Sequence, residues 1–501
     1  MRQPIGQAAL RQMLRLEVPE PAVQSFLAPG TRRTEVHGDR VLELYPRVHA
    51  VDDSAVSHLK FALRYEAFDL GLIVEALKRI PGGELEAWIQ AEPTGTFSRR
   101  AWFFYETFTG GTLAVPAVST GNYVDALDPE LFFVSSRRNS PRHRVVDNLL
   151  GGPGFCPTVR WTKALEAHVA TDLHAMVRRL TEAVDPAVLK RAVTYLYTKE
   201  TRSSFEIEGE VVSLSRSERF VAALKDAGGF RPTKPGLIDL QNQIVDPRYA
   251  ATDWRAVQNY VGESLVGYRQ KIHYVCPRPG DVPALMASWE AMTDRLAADE
   301  NVHPVIAAAL AAFGFVFIHP FEDGNGRIHR FLVHSLLSRK GLSPEGIIFP
   351  ISASILRDTA RYDAALEAFS EPIKPFIDYA VDSDGEMEVR NETLRLYSTF
   401  DATVLVEYLF ERVIDTVQTD LRDELEFIRT YDRAMKAVVE QIDMPSQKAS
   451  LFVRLCLQNN GRLSNNKRAK FPELSDADVA RLEHAIHQGT AEADRRSPGE
   501  G

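Results

Sequence analysis

The 501 residues have a hydrophobic share of 45% and a charged share of 25%, the balance of an ordinary globular protein and not of a disordered or fibrous one. The length leaves room for about three domains, and the net charge of −9 argues against a general binder of nucleic acid or anionic membrane. The three cysteines, Cys156, Cys276 and Cys456, are far apart and in no metal-type spacing, which fits a reducing compartment, most simply the cytoplasm.

Residues 1–20 alternate polar and apolar with no continuous apolar core, so no signal peptide is read there. Residues 1 to about 30 read as a short helical lead-in followed by a loop at Ala28-Pro29-Gly30. Helical spacing from Ala55 to Arg79 is stopped by Pro81-Gly82-Gly83, and 84–90 reads as another helix. A further helix starts with Ser98 as candidate N-cap, carries the aromatic cluster Trp102 to Tyr105 toward the core, and stops at Gly110-Gly111. Residues 112–160, rich in Gly, Pro, Asn and Ser with β-like runs such as 131–134, predict loops around a small sheet or hairpin. The local basic patch of Arg137, Arg138, Arg142 and Arg144 reads as a solvated face rather than a contact for an acidic partner.

Helical periodicity returns from Trp161 through Leu180 and from Pro186 to about Phe205. The run Ser203-Ser204-Phe205-Glu206-Ile207-Glu208-Gly209 reads as a helix end with Gly209 as C-cap. Glu208 then lies at the negative end of the helix dipole, a mild cost that invites a cationic partner elsewhere. Helices are predicted over 214–224 and 254–265. Arg269 to Cys276 has strand character, broken by Pro277, Pro279, Gly280 and Pro283. Helices follow over 282–300 and 301–318. The second is apolar from Val305 to Ile318, too short to span a bilayer, and reads as a buried core helix.

That helix runs into His319-Pro320-Phe321-Glu322-Asp323-Gly324-Asn325-Gly326-Arg327, continuing to Arg330, which reads as a polar loop opening a second helix. Gly324, Asn325 and Gly326 can turn backbone N–H groups toward one point at the positive end of that helix, a seat for phosphate. Asp323 is a hard oxygen ligand suited to Mg²⁺ (or Mn²⁺) bridging phosphates. Arg327 and Arg330 share a helix face and can fork onto phosphate oxygens, and His319 is a candidate general base. Pro320 ends the preceding helix and Phe321 is expected to anchor the loop in the core. The residues alone point to a Mg-nucleotide or phosphate site with a histidine base.

His319 to Arg330 resembles the His-Pro-Phe-x-Asp/Glu-Gly-Asn-Gly-Arg-x-x-Arg signature of Fic-domain proteins (filamentation-induced-by-cAMP type) at every specified position. The resemblance implies a mainly α fold: a Fic-type helical core with a short β-hairpin flap, joined to an N-terminal mixed or helical region and a C-terminal helical or winged-helix module. It implies transfer of AMP from ATP to a Ser, Thr or Tyr hydroxyl of a protein target. Ser204-x-x-x-Glu208-Gly209 resembles the inhibitory motif of self-regulated members, which implies that Glu208 pairs with Arg330 and blocks the γ-phosphate of ATP. The strand-like stretch with Ile272, His273 and Tyr274 sits where the family places the flap that clamps the target as an added strand. Tyr362, in a helix read over 354–369, resembles the family's adenine-side contact. Gly326 favours AMP transfer, since the family's phosphorylating relative carries Lys there.

Residues 372–380 complete the expected core and 381–385 form a polar boundary. Long amphipathic helical stretches are predicted over 393–419 and 420–439. Residues 447–457 and 474–486, with Ser475 as N-cap, suggest a small module in which Lys467, Arg468 and Lys470 add modest basicity; a protein contact is preferred to DNA. The expected division is 1–185, of no assigned role; 186–385, the Fic domain with an inhibitory helix at about 195–209, a flap at about 268–283 and the loop at 319–330; 386–488, the C-terminal module; and 489–501, a disordered tail. No P-loop or dinucleotide fingerprint is present, and His329 and His334 are five apart rather than the four that suits zinc. Self-modification and a homodimer are considered, with no membrane and no nucleic-acid partner expected. The alternatives are a phosphodiesterase that removes AMP through the same site and a nucleotide-sensing regulator that binds DNA.

Overall fold

The computed structural model describes residues 2–37, 40–182, 184–211, 213–264, 270–344 and 346–494. The chain is mainly α-helical and divides into two compact units. The first comprises Met1–Asp172, Glu200–Glu345 and Ile351–Val413; the second comprises Leu173–Lys199, Gly346–Pro350 and Ile414–Gly501.

In the first unit, the N-terminal lead-in is more than a helix and a loop. After the helix Gln7–Met13, Val23–Leu27 enters a four-stranded sheet, pairing antiparallel with Gln3–Pro4 and parallel with Arg40–Tyr45, which in turn pairs with Arg33–His37. Behind it, helices Ala55–Tyr65, Leu70–Arg79, Gly82–Ala91 and Thr96–Thr109 enclose an apolar core that includes Leu59, Ile73, Trp102 and Phe104. Ser54 and Asp69 cap the first two of these helices through their side chains. Ser98 is not an N-cap. The helix starts earlier, at Thr96, and the Ser98 hydroxyl donates to the Glu92 and Gly95 carbonyls. A small sheet of Val124–Asp125, Val145–Asp147 and Arg138–Ser140 lies where a sheet or hairpin was expected. The arginines there are paired locally: Arg137 on Asp125, Arg138 on Asp147, Arg142 on Glu106, and Arg144 on backbone carbonyls.

The helix Pro304–Ile318 is buried at every position from Val305 to Phe315, so no face of it can be polar. It packs against Val282–Ala298, where the Trp289 indole donates to the Ala311 carbonyl at 2.8 Å. Gly314 permits this closeness, since a Cβ there would press on Phe155 and Trp289. Asn325–Arg339 follows the loop and crosses back over Pro304–Ile318.

Three expectations need correction. The helix expected over 254–265 is absent from its described residues: 254–259 are irregular and Tyr260–Ser264 is a strand paired antiparallel with Gln270–Val275. The chain between 255 and 259 is held extended by bonds to the 319–322 backbone, a tertiary force that outweighs local helical spacing. The stretch 393–419 is broken by the strand Thr399–Asp401, which pairs in parallel with Cys156–Thr158. The polar boundary at 381–385 is the turn of a hairpin, Tyr379–Val381 with Met387–Val389, with Gly385 at φ +85°. Residues 265–269, which include the start of the expected flap at 268, lie outside the described residues.

The second unit is helical. Arg422–Gln441, Ser446–Leu457 and Asp476–Asp494 enclose Ala434, Val438, Phe452, Phe471 and Ile486. The Ser475 hydroxyl accepts from the Asp478 N–H, the predicted cap. Among the described residues of 442–494 there is no strand, so the module is helical and not winged. Its last helix runs to Asp494, so the first part of the tail expected to be disordered over 489–501 is helical; 495–501 lie outside the described residues. Arg191 pairs with Asp432 and Lys199 with Asp420 within this unit. All three cysteines are free and buried, and no described helix is long and apolar enough to cross a membrane.

Candidate active site

The loop begins where the buried helix ends. His319 caps it in the left-handed region at φ +53°, and Gly324, at φ +91°, opens Asn325–Arg339. A β-branched residue at Gly324 would be strained; a Cβ there would also press on Val245. Between them Phe321 is fully buried against Trp254 and Phe315. Asn325 points its side chain inward: Oδ1 accepts from the Phe321 N–H at 3.0 Å and Nδ2 donates to the Phe321 carbonyl at 2.8 Å. Asn325 therefore offers a ligand only its backbone.

The loop carbonyls are held from outside. His319 and Pro320 accept from Arg255, Phe321 and Glu322 from the Asn259 amide, and Asp323 from the Gln241 amide. These donors fix the backbone orientation from which the helix N-terminus starts.

His319 is partly exposed, and its Nδ1 lies 3.1 Å from the Val316 carbonyl. A neutral imidazole donating there leaves Nε2 as an acceptor. Burial pulls its pKa down to about 4, with the Arg255 charge adding to the same direction, so the ring is neutral at physiological pH.

Arg327 and Arg330 are both essentially inaccessible, at 0% and 1% side-chain exposure. Glu208 bridges them: Oε2 is 2.8 Å from Arg327 Nε and Oε1 is 2.7 Å from Arg330 Nη2. A Cβ placed on Gly326 would overlap Glu208 Oε1, so the carboxylate lies directly against the start of the helix. Ser204 supports the pairing, its hydroxyl accepting from Arg330 Nε at 2.8 Å and its carbonyl from Nη2 at 2.6 Å. Gly209, at φ +70°, ends the motif in the left-handed turn expected of a C-cap. Burial lowers the Arg330 pKa, but Glu208, with Tyr362 and Glu200, offsets it and the net direction is upward.

Two groups in this site were not anticipated. Glu210 adds a second carboxylate to Arg327, at 3.2 Å, and is itself held by Arg216 at 2.9 Å. Glu200 is fully buried, accepts from Ser352 N–H at 2.8 Å, and lies 2.8 Å from His334 Nε2. Glu200, Ser204 and Glu208 are four apart and face His334, Arg330 and Gly326, also four apart, so two helix faces meet in antiparallel steps. That repeat was the sequence signal for Glu200.

Asp323 Oδ1 accepts from the Gly324 N–H and from Arg327 Nη2, both at 2.6 Å; Oδ2 has no hydrogen-bond partner among the described residues. No group of three or more His, Cys, Asp or Glu that could hold a metal occurs among the described residues. A single carboxylate with a free oxygen suits Mg²⁺ that arrives with its own water and phosphate ligands, so the residues fit that ion.

Tyr362 and the flap residues are placed differently from the loop. Tyr362 is buried; its hydroxyl is 3.1 Å from His329 Nδ1, their rings stack, and burial pushes its pKa up to about 12. Ile272 and Tyr274 are buried, with the Tyr274 hydroxyl on the Phe317 carbonyl, while His273 is partly exposed near Glu367 at 3.7 Å. A target strand could therefore use the hairpin's backbone but not the Ile272 or Tyr274 side chains.

Residues 232–337 match the model of the Fic/DOC family. Among curated relatives, a "Protein adenylyltransferase Fic" of Culex quinquefasciatus is 30% identical over 188 residues, 36% of this chain and 33% of that protein. One of Drosophila willistoni is 36% identical over 152 residues, 29% of this chain and 26% of that protein. The chain thus spans about a third or less of the length of these relatives. Among solved structures, a Fic family protein from Desulfovibrio desulfuricans G20 aligns with 20% identity and a TM-score of 0.37, covering 68% of this chain and 98% of that one.

Proposed function

We propose that the protein is an adenylyltransferase that moves AMP from ATP to a hydroxyl of a protein target, and that Glu208 holds it inactive. The observation that carries this reading is the carboxylate of Glu208 lying on Arg327 and Arg330 against Gly326 in the first turn of the helix. Buried arginines around a helix N-terminus form an anion seat, and an internal anion fills it at rest.

In the active form Glu208 leaves and the ATP phosphates take its place, with Arg327 and Arg330 neutralising the β,γ end. Mg²⁺ would be held by Asp323 and would supply charge neutralisation of the leaving pyrophosphate. The flap presents a Ser, Thr or Tyr. Its hydroxyl proton passes to the free imidazole nitrogen of His319 while its oxygen forms a bond to the α-phosphorus. The α–β bridging bond breaks and pyrophosphate departs. The chain need only position and neutralise charge, and a base already neutral at pH 7 is ready for that proton. Free buried thiols suit a reducing compartment, and with it a cytoplasmic location.

His319→Ala, made in a Glu208→Gly background, tests the base role. We expect loss of AMP incorporation with ATP binding by calorimetry retained. Undiminished incorporation would overturn the assignment.

A further inference from the structure

Arg255 is 4% exposed, and among the described residues no carboxylate pairs with it. All of its bonds go to backbone carbonyls. Nε donates to His319 at 2.7 Å, Nη1 to Val257 at 2.9 Å, Nη2 to Pro277 at 2.5 Å, and its own N–H to Pro320 at 2.8 Å. His319 and Pro320 belong to the catalytic loop. Val257 and Pro277 flank the two strands of the hairpin, Tyr260–Ser264 and Gln270–Val275, at its base. Asn259 continues the connection, with its amide toward Phe321 and Glu322 and its carbonyl accepting from the Cys276 N–H. Burying an unpaired guanidinium is costly, and a neutral donor could have satisfied any one of these carbonyls. Only a planar fork reaches the loop and both sides of the hairpin base at once.

We propose that Arg255 is a positioning residue for the transfer reaction: it locks the His319 backbone and the base of the flap into one rigid unit, so that a hydroxyl carried by the flap meets the imidazole. This rests on the adenylyltransferase reading for its chemistry but not for its geometry. Arg255 touches neither the anion seat nor Asp323. Its loss acts on the turnover step and spares nucleotide binding. His319 also feels the Arg255 charge, which favours the neutral ring.

The first test needs no activity. In the full chain, amide hydrogen exchange of 260–264, 270–275 and 319–322 is compared between wild type and Arg255→Gln. Losing a charge-assisted tie should speed exchange there by about tenfold or more, leaving the helices of 422–494 unchanged. Unchanged exchange in the hairpin and loop would overturn the proposal. The second test uses self-labelling by α-labelled ATP in a Glu208→Gly background. Arg255→Gln should lower the rate at saturating ATP by about 100-fold, the scale of a misplaced catalytic group, with KM for ATP within about twofold. Arg255→Lys, which keeps the charge and part of the bonding, should recover some of that rate and carries both tests if the Gln variant does not fold. A rate that stays at the parent level, or a loss wholly in KM for ATP, would overturn it. If Glu208→Gly itself fails to label, the adenylyltransferase reading fails, and the exchange experiment still decides the role of Arg255.

Discussion

Replacing Glu208 by Gly removes one carboxylate that serves two buried guanidinium groups. Withdrawing an ion from a buried pair costs about 3–5 kcal/mol. The Glu208 side chain is 24% exposed, which favours the lower end. An equilibrium that keeps the seat filled by about 3 kcal/mol leaves the open state near one part in 150. The variant should therefore self-label with α-labelled ATP about two orders of magnitude faster than wild type, and bind ATP·Mg more tightly by a similar factor. Without nucleotide it should be less stable. Arg330 would keep Ser204 and the Tyr362 hydroxyl but no paired carboxylate among the described residues, whereas Arg327 would keep Glu210 and Asp323. Thermal unfolding with and without ATP·Mg checks this: a lowered midpoint that nucleotide restores more strongly than in wild type. A labelling rate and an ATP affinity both within about twofold of wild type would refute the reasoning.

Two other outcomes follow from the same geometry. Glu200→Gln weakens the buried bonds to His334 and Ser352 that seat the helix leading to Glu208, and should raise self-labelling by about tenfold. Combined with Glu208→Gly it should add nothing further, and a Glu200→Gln variant as silent as wild type would show that the anchor does not govern Glu208. The pH dependence has a defined sign. With the folded His319 pKa held down to about 4 against an ordinary 6.5, the ring is neutral above about pH 5, so kcat/KM of the Glu208→Gly variant should show no acid limb near 6.5 and fall only toward pH 4. The linked stability is fully present above 6.5 and is lost as pH falls toward 4, because the unfolded chain binds the proton first. A limb centred near 6.5 in the pH–rate profile would contradict the lowered His319 pKa.

The loop was legible because its chemistry is local. Positive φ at Gly324, the turn at Pro320 and the spacing of Arg327 and Arg330 all follow from residues within one stretch. The Glu208 pairing was half legible: a carboxylate at a helix C-terminus asks for a cation, but only the resemblance named which. Glu200 could have been found by extending the four-residue step one turn back from Ser204. Arg255 and Asn259 carried no such signal. Their role depends on loop carbonyls that come close only after folding, and the apolar spacing around them favoured a helix the tertiary bonds do not permit. The N-terminal sheet was missed for a related reason: Val23–Leu27 is short and pairs in parallel with a strand reached through an intervening one. Tyr362 was singled out by resemblance alone, and its buried side chain lies on His329.

The most direct test of transfer from ATP compares label position. The Glu208→Gly variant is incubated with Mg²⁺ and ATP carrying label at either the α- or the γ-phosphate, and the protein is then recovered and counted. The account predicts covalent label from α-labelled ATP only, abolished by His319→Ala. Label from γ-labelled ATP, or none from either, would contradict it.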